Sequence, residues 1–318
     1  MPILRVNAVG THPKLAEPAI GRMSLANAIA QQRLTAPVLI MLHGYGYSPG
    51  NDQTSPHEHP VRHGAEQSSD IVQNWPYQLG YGPGTQDRGL CIAFGWEAGG
   101  TIWRAHREAG RAGQALAELI RTLADLGAGP VNIIAHSLGA RVALAALPSL
   151  SPGAIGQMIL LTGAELRSVA ETALMCPAGR SARVLNVISR ENDIFDFIYE
   201  WLLAPHRLGA RALGAGLALP QCVTAQIDHD GHLTGLQSLG FDVPPATRRF
   251  CHWSSYMRPG LFALYRAFLD PANALDLADL RRALPENVTR RWSRLLSGPD
   301  VPARAGVNDA AYYPSASQ

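Results

Sequence analysis

Ser137 has the surroundings that point most directly to chemistry. Residues 131–145 read VNIIAHSLGARVALA: a β-branched apolar run, then Ala135-His136-Ser137-Leu138-Gly139, then a stretch rich in Ala and Leu with helical character. A serine hydroxyl is a poor nucleophile until it is held beside a base and close to N–H donors for the oxyanion it creates. A sharp strand-to-helix turn meets these needs, because it lifts the hydroxyl above the sheet and aims the first helical N–H groups at the same point. Such a turn crowds the backbone, and the small Ala135 and Gly139 stand two residues before and two after the serine.

Other groups able to take part lie far away in sequence. His43-Gly44-Tyr45-Gly46-Tyr47 follows an apolar run, and its glycines suit a backbone that turns tightly and approaches a ligand. Acidic candidates fall in Arg190-Glu191-Asn192-Asp193-Ile194-Phe195-Asp196. Histidines occur in Asp228-His229-Asp230-Gly231-His232 and in Cys251-His252-Trp253-Ser254. Asp52, His57, Glu58, His59 and His63 could gather on a divalent cation, but no regular element fixes their geometry, so a solvated loop is expected and no metal site.

In the elements that must hold these groups, short apolar runs alternate with longer segments of helical period. That pattern predicts an α/β fold, a mostly parallel sheet with helices on both faces. Buried strands are expected over 37–42, 90–94, 131–135, 158–161, 184–189 and 222–227, and an edge strand over 3–9. Between residues 105 and 126, Ala112, Ala115, Leu116, Leu119, Ile120 and Leu123 recur at three and four, which predicts a docked amphipathic helix. Helices are also expected over 138–147 and, as the last of the domain, 260–269. Residues 194–203 (IFDFIYEWLL) are apolar on most sides and read as a buried helix packed on the sheet, or else as a pocket wall or lid. Residues 48–89 are expected to form a long loop with one short helix near 71–79, residues 228–232 a polar loop, and Glu191 is read as a solvated turn residue. Residues 1–297 are read as one domain and 298–318 as a loosely ordered tail.

AHSLG between strand and helix resembles the GxSxG nucleophile elbow of the α/β-hydrolase family, with Ala135 in place of the first glycine. The resemblance spans roughly residues 36 to 270, and its layout is similar to bacterial hydrolases described as esterase-like or lipase-like. It implies Ser137 as nucleophile and the N–H groups of Tyr45 and Leu138 as the oxyanion hole. The family order of serine, acid, histidine implies Asp193 as acid, with Asp196 the alternative, and His252 as base, with His232 the competitor. A carboxylate beside His252 would raise its pKa. The activity implied is hydrolysis of an ester, thioester or amide through an acyl-enzyme, without a cofactor. An acyltransferase using the same triad, or a binding protein that kept the fold, are the alternatives. About twenty residues separate Leu161 from Arg183, too few for an inserted cap domain.

Composition narrows the partners. With 47% apolar and 16% charged residues among 318, the chain can bury a sizeable core, and no run approaches the roughly 18 apolar residues of a membrane span. A formal net charge of +2 without a basic run argues against nucleic acid. Lys14 is the sole lysine. The four cysteines show no paired spacing and read as buried free thiols. The N-terminus lacks a secretory pattern, so a cytoplasmic protein acting on a small acyl substrate is expected. The sequence is silent on oligomeric state.

Overall fold

Parallel strands buried on both faces need apolar side chains on both sides, which is why β3 (Leu39–Leu42) reads as a continuous run rather than an alternation. Ile40 and Leu42 enter one core, while Leu39 and Met41 enter the other. The computed structural model describes residues 3–16, 24–32, 34, 37–58, 74–81, 89–207, 209–270, 275–289 and 291–293. Besides β3, the strands are β1 (Ile3–Val9), β2 (His12–Leu15), β4 (Cys91–Gly95), β5 (Val131–His136), β6 (Ile155–Leu161), β7 (Arg183–Ile188) and β8 (Cys222–Gln226). They form one eight-stranded sheet in the order β2-β1-β4-β3-β5-β6-β7-β8, parallel except for β2.

The helices are α1 (Leu25–Ala30), α2 (Trp75–Gln78), α3 (Ile102–Asp125), α4 (Leu138–Ala146), α5 (Arg167–Leu174), α6 (Pro177–Ser181), α7 (Asp193–Leu203), α8 (Asp230–Ser238), α9 (Ser254–Met257), α10 (Leu261–Leu269) and α11 (Leu277–Ala283). One core gathers apolar residues of α3, α4 and α5; the other gathers those of α2, α8, α10 and α11. This is the expected α/β architecture, with only α5 and α6 between β6 and β7 and no large cap.

Some expectations need correction. The 3–9 strand is present, but β2 folds back antiparallel on it and takes the edge. Residues 228–232 are no polar loop: His229 accepts a hydrogen bond from the His232 N–H and opens α8. The 260–269 helix is not the last, since α11 follows it and packs into the same core. The 298–318 tail lies outside the described residues. No helix among the described residues is long and apolar enough to cross a membrane.

Candidate active site

The carboxyl ends of β3, β5, β6 and β7 lead into His43, Ser137, Thr162 and Ser189, and a crevice at these ends is where open parallel sheets place their ligands. Ser137 occupies the position before α4 with φ 53° and ψ −125°, a region that residues bearing a Cβ avoid. An ordinary helix-capping serine would have extended dihedrals and a side chain bonded to a helical N–H; Ser137 makes no such bond. The turn is pinned from below, where the Ser137 N–H donates to Leu161 (3.0 Å) and its carbonyl accepts from Ala140 and Ala164 (3.0 and 2.9 Å). Gly139 is required by a close approach: a Cβ there would lie 2.6 Å from the His43 carbonyl oxygen and 2.8 Å from that of Leu42.

The loop after β3 packs directly on this turn. A Cβ on Gly44 would stand 2.8 Å from the Ser137 Cβ. Neighbouring His43 is buried and fully engaged: Nε2 accepts from the Trp96 N–H (3.0 Å), Nδ1 bonds the Gly44 carbonyl (2.9 Å), and its ring stacks on Trp96. Because Nε2 accepts, Nδ1 carries the proton; burial pushes the pKa down to about 3, so His43 is a neutral brace for the loop. Tyr45 and Leu138 both line the cleft beside Ser137. Among the described residues neither of their N–H groups has a protein acceptor, which leaves both available as donors.

His252 lies across the same cleft, in the segment leading to α9. Its own carbonyl accepts from His136 Nε2 (3.1 Å) and from the Thr162 hydroxyl (3.2 Å), so the ends of β5 and β6 fix its backbone. The preceding Cys251 N–H donates to the Glu191 carbonyl (2.9 Å), tying this segment to the turn after β7. Glu191 is not solvated: it is buried, ion-paired with Arg258 and bonded to the Ser189 hydroxyl. The imidazole Nδ1 lies 2.6 Å from the Asn192 Oδ1, and the Asn192 Nδ2 donates to Asp196 (3.1 Å). A donating Nδ1–H leaves Nε2 free to accept a proton, the tautomer a general base needs. Ser137 and His252 share the cleft, while no hydrogen bond joins them among the described residues; such contacts often tighten only when substrate binds.

The acid assignment is therefore corrected. Asp193 does not face His252; its carboxylate is buried against Arg291 and accepts from the Ser293 N–H (3.0 Å) and hydroxyl (2.8 Å). Asn192, one residue earlier, takes the place beside the imidazole. Asp196, the alternative acid, does not meet the imidazole directly either, but stands buried behind Asn192. The competing base His232 is buried, accepts from the Gln226 N–H (3.1 Å) and does not line the cleft. The anticipated upward shift of His252 is also reversed: burial, then His136, holds its pKa well below the ordinary value.

The cause lies in α7, whose polarity is inverted. Asp193, Asp196 and Glu200 turn inward, where Arg291 pairs with Asp193 and Glu200. Phe195, Ile198 and Leu202 turn toward the cleft, whose lining also includes Asp196, and Phe197 and Trp201 turn toward solvent. Trp103, at the start of α3, bonds the Leu202 carbonyl through its indole N–H (3.0 Å) and closes the wall. The resulting cleft measures about 790 Å³, with Trp75 and Tyr256 also in its lining. Among the described residues no lysine, arginine or glutamate lines it.

Sequence reasoning missed Asn192, Thr162 and Arg291. The turn containing Asn192 was legible as the acid-bearing turn, but nothing local links Arg291 to Asp193, 98 positions away. Of the suggested metal cluster, His57 is buried with Nε2 on Asn7 (2.7 Å) and Glu58 pairs with Arg5, while His59 and His63 lie outside the described residues.

Residues 100–213 match DUF726, a family of proteins of unknown function. The matched stretch carries Ser137, Asn192 and Asp196 but neither the loop after β3 nor His252. No curated protein matches the chain.

Proposed function

We propose that this protein is a cytoplasmic serine hydrolase of the α/β-hydrolase type, which cleaves an ester, thioester or amide through an acyl-enzyme on Ser137. The observation that carries the reading is the strained, uncapped backbone at Ser137, since such strain persists only where the surrounding structure enforces it. In this mechanism the Ser137 hydroxyl attacks the carbonyl and His252 Nε2 takes its proton. The N–H groups of Tyr45 and Leu138 stabilise the oxyanion, helped by the dipole of α4. His252 then gives the proton to the leaving group, and water repeats the sequence to release the acid. Asn192 fills the orienting role, as an amide can, because that role requires an acceptor for Nδ1–H. The largely aromatic and aliphatic lining, without a fixed cation among the described residues to hold an anionic group, suits an apolar acyl chain.

A fluorophosphonate probe tests this. The wild-type protein is expected to be labelled once and to hydrolyse activated esters, and Ser137→Ala to lose both. Labelling that persists in Ser137→Ala, or a wild-type protein that never labels, overturns the reading.

A further inference from the structure

Asn192 stands between a ring nitrogen and a carboxylate, and its amide can face them in two ways. With the NH₂ toward Asp196, its carbonyl meets His252, Nδ1 carries the proton, and Nε2 is a base. With the amide reversed, its NH₂ donates to Nδ1, the ring proton moves to Nε2, and His252 can no longer accept from Ser137. An ionised carboxylate has no proton to offer, so it tolerates only the first arrangement. A protonated Asp196 can donate to the amide carbonyl and permits the second.

We propose that Asp196 is a positioning residue of the active site, whose ionised carboxylate holds the Asn192 amide in the orientation that keeps His252 in its basic tautomer. This rests on the hydrolase reading above. Asp196 is buried, and one of its carboxylate oxygens, Oδ2, has no hydrogen-bond partner among the described residues. The charges facing it are Arg291 from the chain's end, Arg190 from the turn after β7, and Glu200 and Asp193 from α7 itself. Burial dominates and raises its pKa to about 7, with Arg291 the main opposing influence. Asp196 therefore loses its proton as pH rises through neutrality, and the share of His252 in the competent tautomer rises with it. His252 itself becomes protonated only at lower pH, so the two ionisations separate.

The test is an exchange of the two side chains, read by pH profiles of kcat on an activated ester from about pH 5.5 to about 8.5. Wild type is expected to rise through an ionisation near neutrality. Asp196→Asn is expected to lose that limb and to lower kcat roughly tenfold, with KM little changed. The double variant Asn192→Asp with Asp196→Asn puts the carboxylate directly on His252 and is expected to recover most of the turnover. Imidazole ¹⁵N NMR of the wild type is expected to show the His252 proton shifting from Nε2 to Nδ1 as pH rises. A wild-type rate and limb in Asp196→Asn, or an exchange variant no better than that single change, overturns the proposal while Ser137 labelling leaves the hydrolase reading intact. If Asp196→Asn does not fold, a His252 tautomer constant across the pH range overturns it. Absence of Ser137 labelling in the wild type removes both.

Discussion

The two halves of the site are built differently. On the side of the proposed nucleophile, Ser137, Leu138, Gly139 and the Gly44 loop are positioned by main-chain geometry: a forced φ, N–H groups without a protein acceptor among the described residues, and carbonyls packed where no Cβ fits. On the base side, His252 depends on side chains drawn from the ends of β5 and β6, the turn after β7, and α7. Backbone geometry tolerates few residue types and leaves a compact signature in sequence. In a side-chain network a neighbouring residue can take the place, as Asn192 rather than Asp193 stands beside His252 here.

The largest effect expected on the base side comes from removing the base. His252→Ala should lower turnover on the order of 10³- to 10⁴-fold while the protein stays folded, because Ser137 keeps its oxyanion donors but loses its proton acceptor. The pH dependence of the wild type sharpens the point. The imidazole must be neutral to act, and burial with a nearby His136 lowers its pKa, so the acidic limb due to His252 lies below the value of about 6.5 for a free imidazole. In Asp196→Asn, which lacks the limb due to Asp196, a remaining limb above that value would mean that a carboxylate, rather than Asn192, stands beside the ring.

On the nucleophile side the sharpest intervention adds one methyl group. Gly44→Ala puts a carbon 2.8 Å from the Ser137 Cβ, so either the loop or the nucleophile must move. Kinetics of probe labelling should show a loss of about a hundredfold for a shift on the order of 1 Å, with thermal stability much less affected. Labelling at the wild-type rate would show that this half is not fixed by its backbone.

How much could be read in advance follows the same division. The alternation of buried runs with an amphipathic period located seven of the eight strands to within a few residues, and AHSLG located the turn at Ser137. The antiparallel return of β2 was not legible, since HPKL carries only one buried residue. Nor was α8, which carries two glycines and opens on a histidine cap. In α7 the hydrophobic pattern was visible, but its orientation depended on Arg291, whose pairing with Asp193 and Glu200 comes from the far end of the chain. Charges neutralised by a distant partner can face inward and turn the apolar side out, and periodicity alone does not reveal which side is which.

Asp193 provides the smallest expected effect on turnover and the most discriminating one, because it separates a residue that holds the site together from one that acts in it. Its carboxylate accepts from Arg291 and from the Ser293 N–H and hydroxyl, all within the buried base-side network. Asp193→Asn keeps one acceptor oxygen but turns an NH₂ toward groups that are themselves donors, and it leaves Arg291 with Glu200 as its remaining ion-pair partner. Breaking one partner out of a buried ion pair costs roughly 3 to 5 kcal/mol, lessened here because Glu200 stays in place. Thermal melting should therefore drop clearly, while kcat per folded molecule stays within a few fold, since His252 still meets Asn192. The opposite outcome, an unchanged melting temperature with turnover lower by orders of magnitude, would restore Asp193 as the acid. It would also mean that the base side, like the nucleophile side, follows the arrangement implied by its local sequence.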